Sequence, residues 1–197
     1  MRKLIFLAAT AFLLVACNQL QKSEVQGPDN ATLQTFKNNF IDKLWLMYPG
    51  WATSQGYHKY DSVLIIPDKV ERQNELNFAS WIEGELQKFS FDSLNANDKT
   101  DYRLMQNFAQ GIRFNLNEFK SYEWDPSAYN LGEAFFEIMD YKKESLDGRL
   151  RAISAKLKSV PAYFEAAKQN IKDPTFEHSK LAINQNYGSL YFFNKTC

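Results

Sequence analysis

Two short stretches of this sequence gather side chains that could do chemistry. The first runs from Tyr48 to Asp61 (YPGWATSQGYHKYD) and holds aromatic residues, two glycines and a histidine three positions ahead of an aspartate. A carboxylate at that spacing can orient the His58 imidazole by engaging one ring nitrogen, which sets the role of the other. The second runs from Tyr122 to Asn130 (YEWDPSAYN), where Asp125-Pro126-Ser127 signals a turn between aromatics. Trp51, His58, Tyr60, Asp61, Trp124, Asp125 and Tyr129 are therefore the candidate lining of a ligand groove. A structural role competes with this. Tyr and Trp bury large areas and satisfy their polar tips at a rim, so such loops also seal the ends of helix bundles. Sealing is the first expectation and a groove the second.

Other chemistries lack a complete set of residues. His58 and His178 are the two histidines, and neither has a second histidine four residues on, so no helical His-Glu-x-x-His site is present. Catalytic zinc takes three protein ligands, and there is no Cys-x-x-Cys to help supply them. No Gly-x-Ser-x-Gly elbow and no glycine-rich phosphate cradle occurs. One His–Asp pair is not a mechanism, so the expectation is no catalytic residue, no metal site and no cofactor in this chain. The carboxylate pairs Glu71 and Glu75, Glu83 and Glu85, and Asp98 and Asp101 sit among polar residues and read as solvated helix faces and caps.

The elements that must position these loops are helices. Leu33, Phe36, Phe40, Ile41, Leu44 and Tyr48 recur at steps of three and four and stop at Pro49-Gly50. Phe78, Trp81, Ile82, Leu86 and Phe89 make a second stripe, and Tyr102, Met105, Phe108, Ile112, Leu116 and Phe119 a third. Leu131 to Met139 predicts a shorter fourth helix, and Leu146, Leu150, Ile153, Leu157 and Val160 a fifth. Pro161 suits the first turn of a sixth, and a last helix starts near Thr175 or Phe176. Val63 to Ile66 looks β-like, but Pro67 stops it, and one strand cannot make a sheet. The expected fold is an all-α, irregular helical bundle of six or seven helices with no significant sheet.

The chain opens with a basic Met1-Arg2-Lys3, an apolar run from Leu4 to Val15 and a small residue, Ala16, directly before Cys17. That is the layout of a secretory signal, and the run is shorter than the ~20 residues a membrane span needs. A cysteine at the cut predicts a bacterial lipoprotein: residues 1–16 removed, Cys17 acylated, residues 17–30 a flexible tether, residues 31–197 a helical domain. Thirteen tether residues can hold the body up to ~45 Å from the lipid surface. The expected partner is the membrane, through the lipid on Cys17. The expected place is the bacterial cell envelope, at the outer membrane or its periplasmic face, since Asn18 is not an acidic retention residue. Basic and acidic residues balance at 23 each, which gives no electrostatic footprint for nucleic acid. With Cys17 acylated, Cys197 is the one cysteine left, so no internal disulfide forms and stability must come from packing. The 16 Phe, 10 Tyr and 4 Trp supply it.

The same loops carry a family resemblance. Leu44-Trp45, Tyr48-Pro49, Trp51-Ala52-Thr53, Gly56, His58 and Tyr60-Asp61 resemble the opening of the bacterial family called domain of unknown function 885. Asp98-Lys99-Thr100-Asp101-Tyr102, Trp124-Asp125-Pro126-Ser127, Tyr129-Asn130, Arg149-Leu150, Val160-Pro161, Ala166-Ala167-Lys168, Leu181-Ala182, Gln185-Asn186 and Gly188 follow in order. The resemblance implies a largely helical lipoprotein similar to zinc metallopeptidases. Its members are much longer, and their His-Glu-x-x-Pro-Gly-His motif lies downstream of the region matched here. Zinc is thus expected only in full-length relatives, and this chain is expected to be the N-terminal, non-catalytic part, cut short before the catalytic region. Leu190 to Cys197 does not continue the family pattern, which suggests a truncated gene. A missing catalytic half, or self-association through the face it would cover, joins the membrane as an expected partner. The alternative is a stand-alone lipoprotein that binds peptide or glycan.

Overall fold

A computed structural model describes residues 28–196. The leader, Cys17 and most of the tether lie outside the described residues. The elements are α1 (Pro28–Met47), α2 (Pro49–Ser54), α3 (Lys69–Leu86), α4 (Ala96–Phe114), α5 (Ser121–Trp124), α6 (Gly132–Asp140), α7 (Leu146–Leu157), α8 (Val160–Asn170) and α9 (Phe176–Thr196). Short 3₁₀ turns at His58–Tyr60, Phe91–Ser93 and Pro126–Tyr129 link them. The fold is an all-α irregular bundle with no strand among the described residues. No described helix is long and apolar enough to cross a membrane.

The main core is built by α1, α3 and α4. Leu33, Phe36, Phe40 and Leu44 from α1 meet Phe78, Ala79, Ile82 and Leu86 from α3 and Met105, Ala109 and Ile112 from α4. Ala79 and Ala109 are fully buried, and such small residues let α3 and α4 pack extensively on each other. Both helices start where their caps dictate. Asp68 accepts from the Glu71 N–H at 2.9 Å, and Asn95 from the Asp98 N–H at 2.9 Å. Each satisfies a donor that a helix start leaves orphaned. Asp98 is not a solvated carboxylate: it is buried and receives Lys37 at 2.7 Å, while the same ammonium reaches Asp101 at 2.8 Å.

The apolar periods place the helices well, and three differences have physical causes. Pro49-Gly50 ends α1 but also opens α2, because proline is well suited to a first helical turn. The third stripe extends to Phe119, yet the α-helix ends at Phe114 and continues as a π turn over Asn115–Phe119. That wider turn closes on Lys120 in the left-handed region (φ 48°), with its N–H donating to Asn115 O at 2.8 Å. The third difference is the register of α7. Leu146, Leu150 and Leu157 were the expected core face, and they are exposed, while Lys156 is buried. The inward face is set by polar work: Arg149 donates to the Met139 carbonyl at the end of α6, and Lys156 to the Ala134 carbonyl at 3.4 Å.

Candidate functional site

A cavity of ≈ 500 Å³ opens between the end of α1, the extended segment 63–67, the start of α3 and the segment from the π turn to α6. Val63, Leu64 and Ile65 form part of its wall, which is why this β-like run stays a single extended loop packed on helices. Trp51, Tyr122, Tyr129 and Tyr163 add aromatic surface, and Tyr48, Glu71, Arg72, Glu75 and Lys156 add polar groups.

One side of the cavity is held by a buried polar network. Asn170, at the end of α8, donates to Pro67 O at 2.5 Å and to the Tyr129 hydroxyl at 3.1 Å. Tyr129 in turn donates to Tyr122 O at 2.8 Å. Arg72 donates to Asn170 Oδ1 at 2.9 Å and Pro67 O at 3.1 Å, and its guanidinium lies 4.5 Å from the Tyr122 ring centroid. Burial raises the Tyr129 phenol, and burial pushes the Tyr163 phenol up to about 12, so both stay neutral donors at neutral pH.

On the opposite side Tyr48 and Glu75 line the cavity together. Burial raises both groups, and the two acids Glu71 and Glu75 reinforce this in Tyr48. Reading Glu71 and Glu75 as a solvated face is therefore corrected at Glu75, which is half-buried against the phenol. Because the folded state holds the Glu75 proton more tightly than the unfolded chain does, its contribution to stability is full below the ordinary carboxylate pKa of ~4.3 and is lost as pH rises through the raised value. We expect Glu75→Gln to remove this loss. Urea titrations from pH 4 to pH 7 should show the variant falling less in stability than the parent over that range.

Lys156 lies at the cavity edge with its side chain essentially inaccessible. Burial lowers its pKa, partly offset by Asp61 and Glu137. Among the described residues no carboxylate comes within ion-pair distance of it.

Of the residues proposed from sequence, Trp51 and Tyr129 line this cavity. His58 and Asp61 come together elsewhere, with Nδ1 3.0 Å from Asp61 Oδ2, and Thr53 Oγ1 lies 2.7 Å from Asp61 Oδ1. The imidazole stacks on Tyr141 at 3.4 Å between centroids. Tyr60 sits beside Tyr57, their ring centroids 6.0 Å apart. In the second loop Asp125 accepts from the Ser127 N–H at 2.9 Å and hydroxyl at 2.5 Å, which shapes the turn. Trp124 donates its indole N–H to Phe119 O at 2.9 Å and packs edge-on against His178. The N–H groups of Lys172 and Thr175 donate to the carbonyls of Glu123 and Trp124, so this loop clamps the α8–α9 connection. Among the described residues no three His, Cys, Asp or Glu side chains gather closely enough to hold a metal ion. Sequence reading named Tyr48 in the first loop and Glu75 in a carboxylate pair without assigning either to the lining, and it missed Arg72, Lys156 and Asn170. The i, i+4 spacing of Glu71 and Glu75 was visible, but nothing local marks Lys156 or Asn170 as buried.

A family model described as "bacterial protein of unknown function (DUF885)" matches residues 49–195, which takes in both loops and the cavity lining apart from Met47 and Tyr48. The chain belongs to that family. No curated protein matches it. Among solved structures it is similar to "a putative lipoprotein of unknown function from Shewanella oneidensis", with a TM-score of 0.78 and 39% identity. The similarity covers 80% of this DUF885 chain and 29% of the Shewanella one, so the chain spans under a third of that protein's length.

Proposed function

We propose that this DUF885 protein is a lipid-anchored, non-catalytic helical module of the bacterial cell envelope, corresponding to the N-terminal part of a longer metallopeptidase-like lipoprotein. The observation that carries the reading is the pairing of four-fifths of this chain with less than a third of a protein described as a lipoprotein. The Leu14-Val15-Ala16-Cys17 stretch supports anchoring through the Cys17 lipid, and Asn18 favours the outer membrane. One acyl chain binds a membrane only marginally, whereas two or more hold it stably. In fractionated cells the protein should sediment with membranes and a Cys17→Ser variant should not. The membrane-bound protein should hydrolyse no peptide, with added zinc or with a chelator. Zinc-dependent hydrolysis would contradict the non-catalytic part of the reading.

A second reading rests on the cavity. Carboxylates, a guanidinium and five aromatic side chains around ≈ 500 Å³ suit a peptide or glycan whose polar ends need partners and whose body needs apolar cover. His58, Tyr60, Asp61, Trp124 and Asp125 stand outside that lining, so this reading would be tested at Trp51, Tyr129 and Glu75.

A further inference from the structure

Helix α9 carries large apolar side chains on an outward face. Among the described side chains, those it directs at the body are small or polar: His178, Ser179, Ala182, Gln185 and Ser189. Ser189 accepts from Asn130 at 3.2 Å, and His178 packs edge-on against Trp124 with ring centroids 5.1 Å apart. The opposite face carries the large side chains. Phe176 is 75% exposed, Ile183 56%, Tyr187 70%, Leu190 59% and Tyr191 68%. An amphipathic helix normally buries its apolar stripe against its own domain. Here the stripe faces away.

The spacing of the outward residues specifies what would cover them. Phe176, Lys180, Ile183, Tyr187, Leu190 and Asn194 follow one another at alternating steps of four and three. That is the repeat of a helix-pairing seam, in which side chains of one helix enter holes on another. The seam is self-complementary when two copies run in opposite directions. Ile183 then meets the partner's Tyr187 twice at the centre, Lys180 lies over the partner's Leu190, and Phe176 lies beside the partner's Asn194. The polar members fall at the ends, where an ammonium and an amide keep access to water. Phe176, Tyr187 and Tyr191 alone offer roughly 300–500 Å² per copy, set against the ~800 Å² per partner of a standard interface. Ile183 and Leu190 add to this.

We propose that α9 is a homodimer interface, formed by antiparallel pairing of the Phe176–Asn194 seam with a second copy of this chain. The inference is independent of lipid anchoring and of any catalytic role. Sedimentation of the purified protein at increasing concentration should show a dimer. Ile183→Lys and Tyr187→Glu should each weaken it more than tenfold while leaving the helix content by circular dichroism unchanged, since both residues are exposed in the monomer. Mixing the two variants should restore a heterodimer, because antiparallel pairing sets position 183 against position 187. A monomer at all concentrations would overturn the proposal, as would a dimer insensitive to both substitutions. Failure of the mixture to re-associate would overturn the antiparallel register. None of these outcomes bears on whether Cys17 carries lipid.

Discussion

Replacing Phe78 with alanine will cost the fold about 3–5 kcal/mol. Phe78 is the hub where the three core helices meet. Its ring stacks on Phe40 of α1 at 5.9 Å and on Trp81 at 5.7 Å, and meets Phe108 of α4 edge-on at 6.3 Å. Removing the ring forfeits the transfer energy of a fully buried aromatic and leaves a void bounded by helices that cannot collapse into it. Aromatic pairs of this geometry add about 0.5–1.5 kcal/mol each beyond area burial. Against a typical net stability of about 5–15 kcal/mol, the loss should bring the urea midpoint down by about a fifth or more. Phe78→Leu keeps most of the volume and should cost less than half as much. A Phe78→Ala loss below 1 kcal/mol would mean that the core is not organised around this ring.

Asn170→Ala should cost about 2–4 kcal/mol, although it removes a small polar group. Its amide simultaneously serves Pro67 O, the Tyr129 hydroxyl and Arg72. Truncation leaves the buried Tyr129 oxygen without that donor and takes from the Arg72 guanidinium its side-chain acceptor. The cost of a buried group left unpaired exceeds the net worth of the bond it made. The effect should not be confined to stability, because the same network joins the 63–67 wall of the cavity to α8. Tyr129→Phe removes the other end of the link, so the double variant should cost less than the two single losses together, with a coupling of about 0.5–3 kcal/mol. Strict additivity in urea titrations would show that the network is not a unit.

These two residues mark what sequence shows and what it hides. Phe78 is one of a stripe at steps of three and four, and the burial it predicts is found. Such stripes placed α1, α3 and α4 because those helices bury apolar faces in the usual sense. Asn170 was invisible because its partner Pro67 lies 103 positions away, and nothing near it in sequence distinguishes it from a surface amide. The same reason defeats the expected core face of α7 and leaves the face of α9 unread. A period states which residues share a face but not whether that face turns inward. Arg149 and Lys156 on α7, and Ser189 on α9, find backbone or side-chain partners on the body, and they turn their apolar faces outward. The two aromatic loops were legible as clusters, but their division of labour was not. Trp51 and Tyr129 reach the cavity, while Asp125 and Trp124 spend their polar atoms on the turn and on the α8–α9 connection.

The measurement that bears most directly on the proposed role is the mass of the N-terminal peptide from protein extracted from membranes. Lipid anchoring predicts a peptide that begins at Cys17 and is heavier than its amino acids by two or more acyl chains. A peptide that begins at Met1, or at Cys17 with no added lipid, would contradict it.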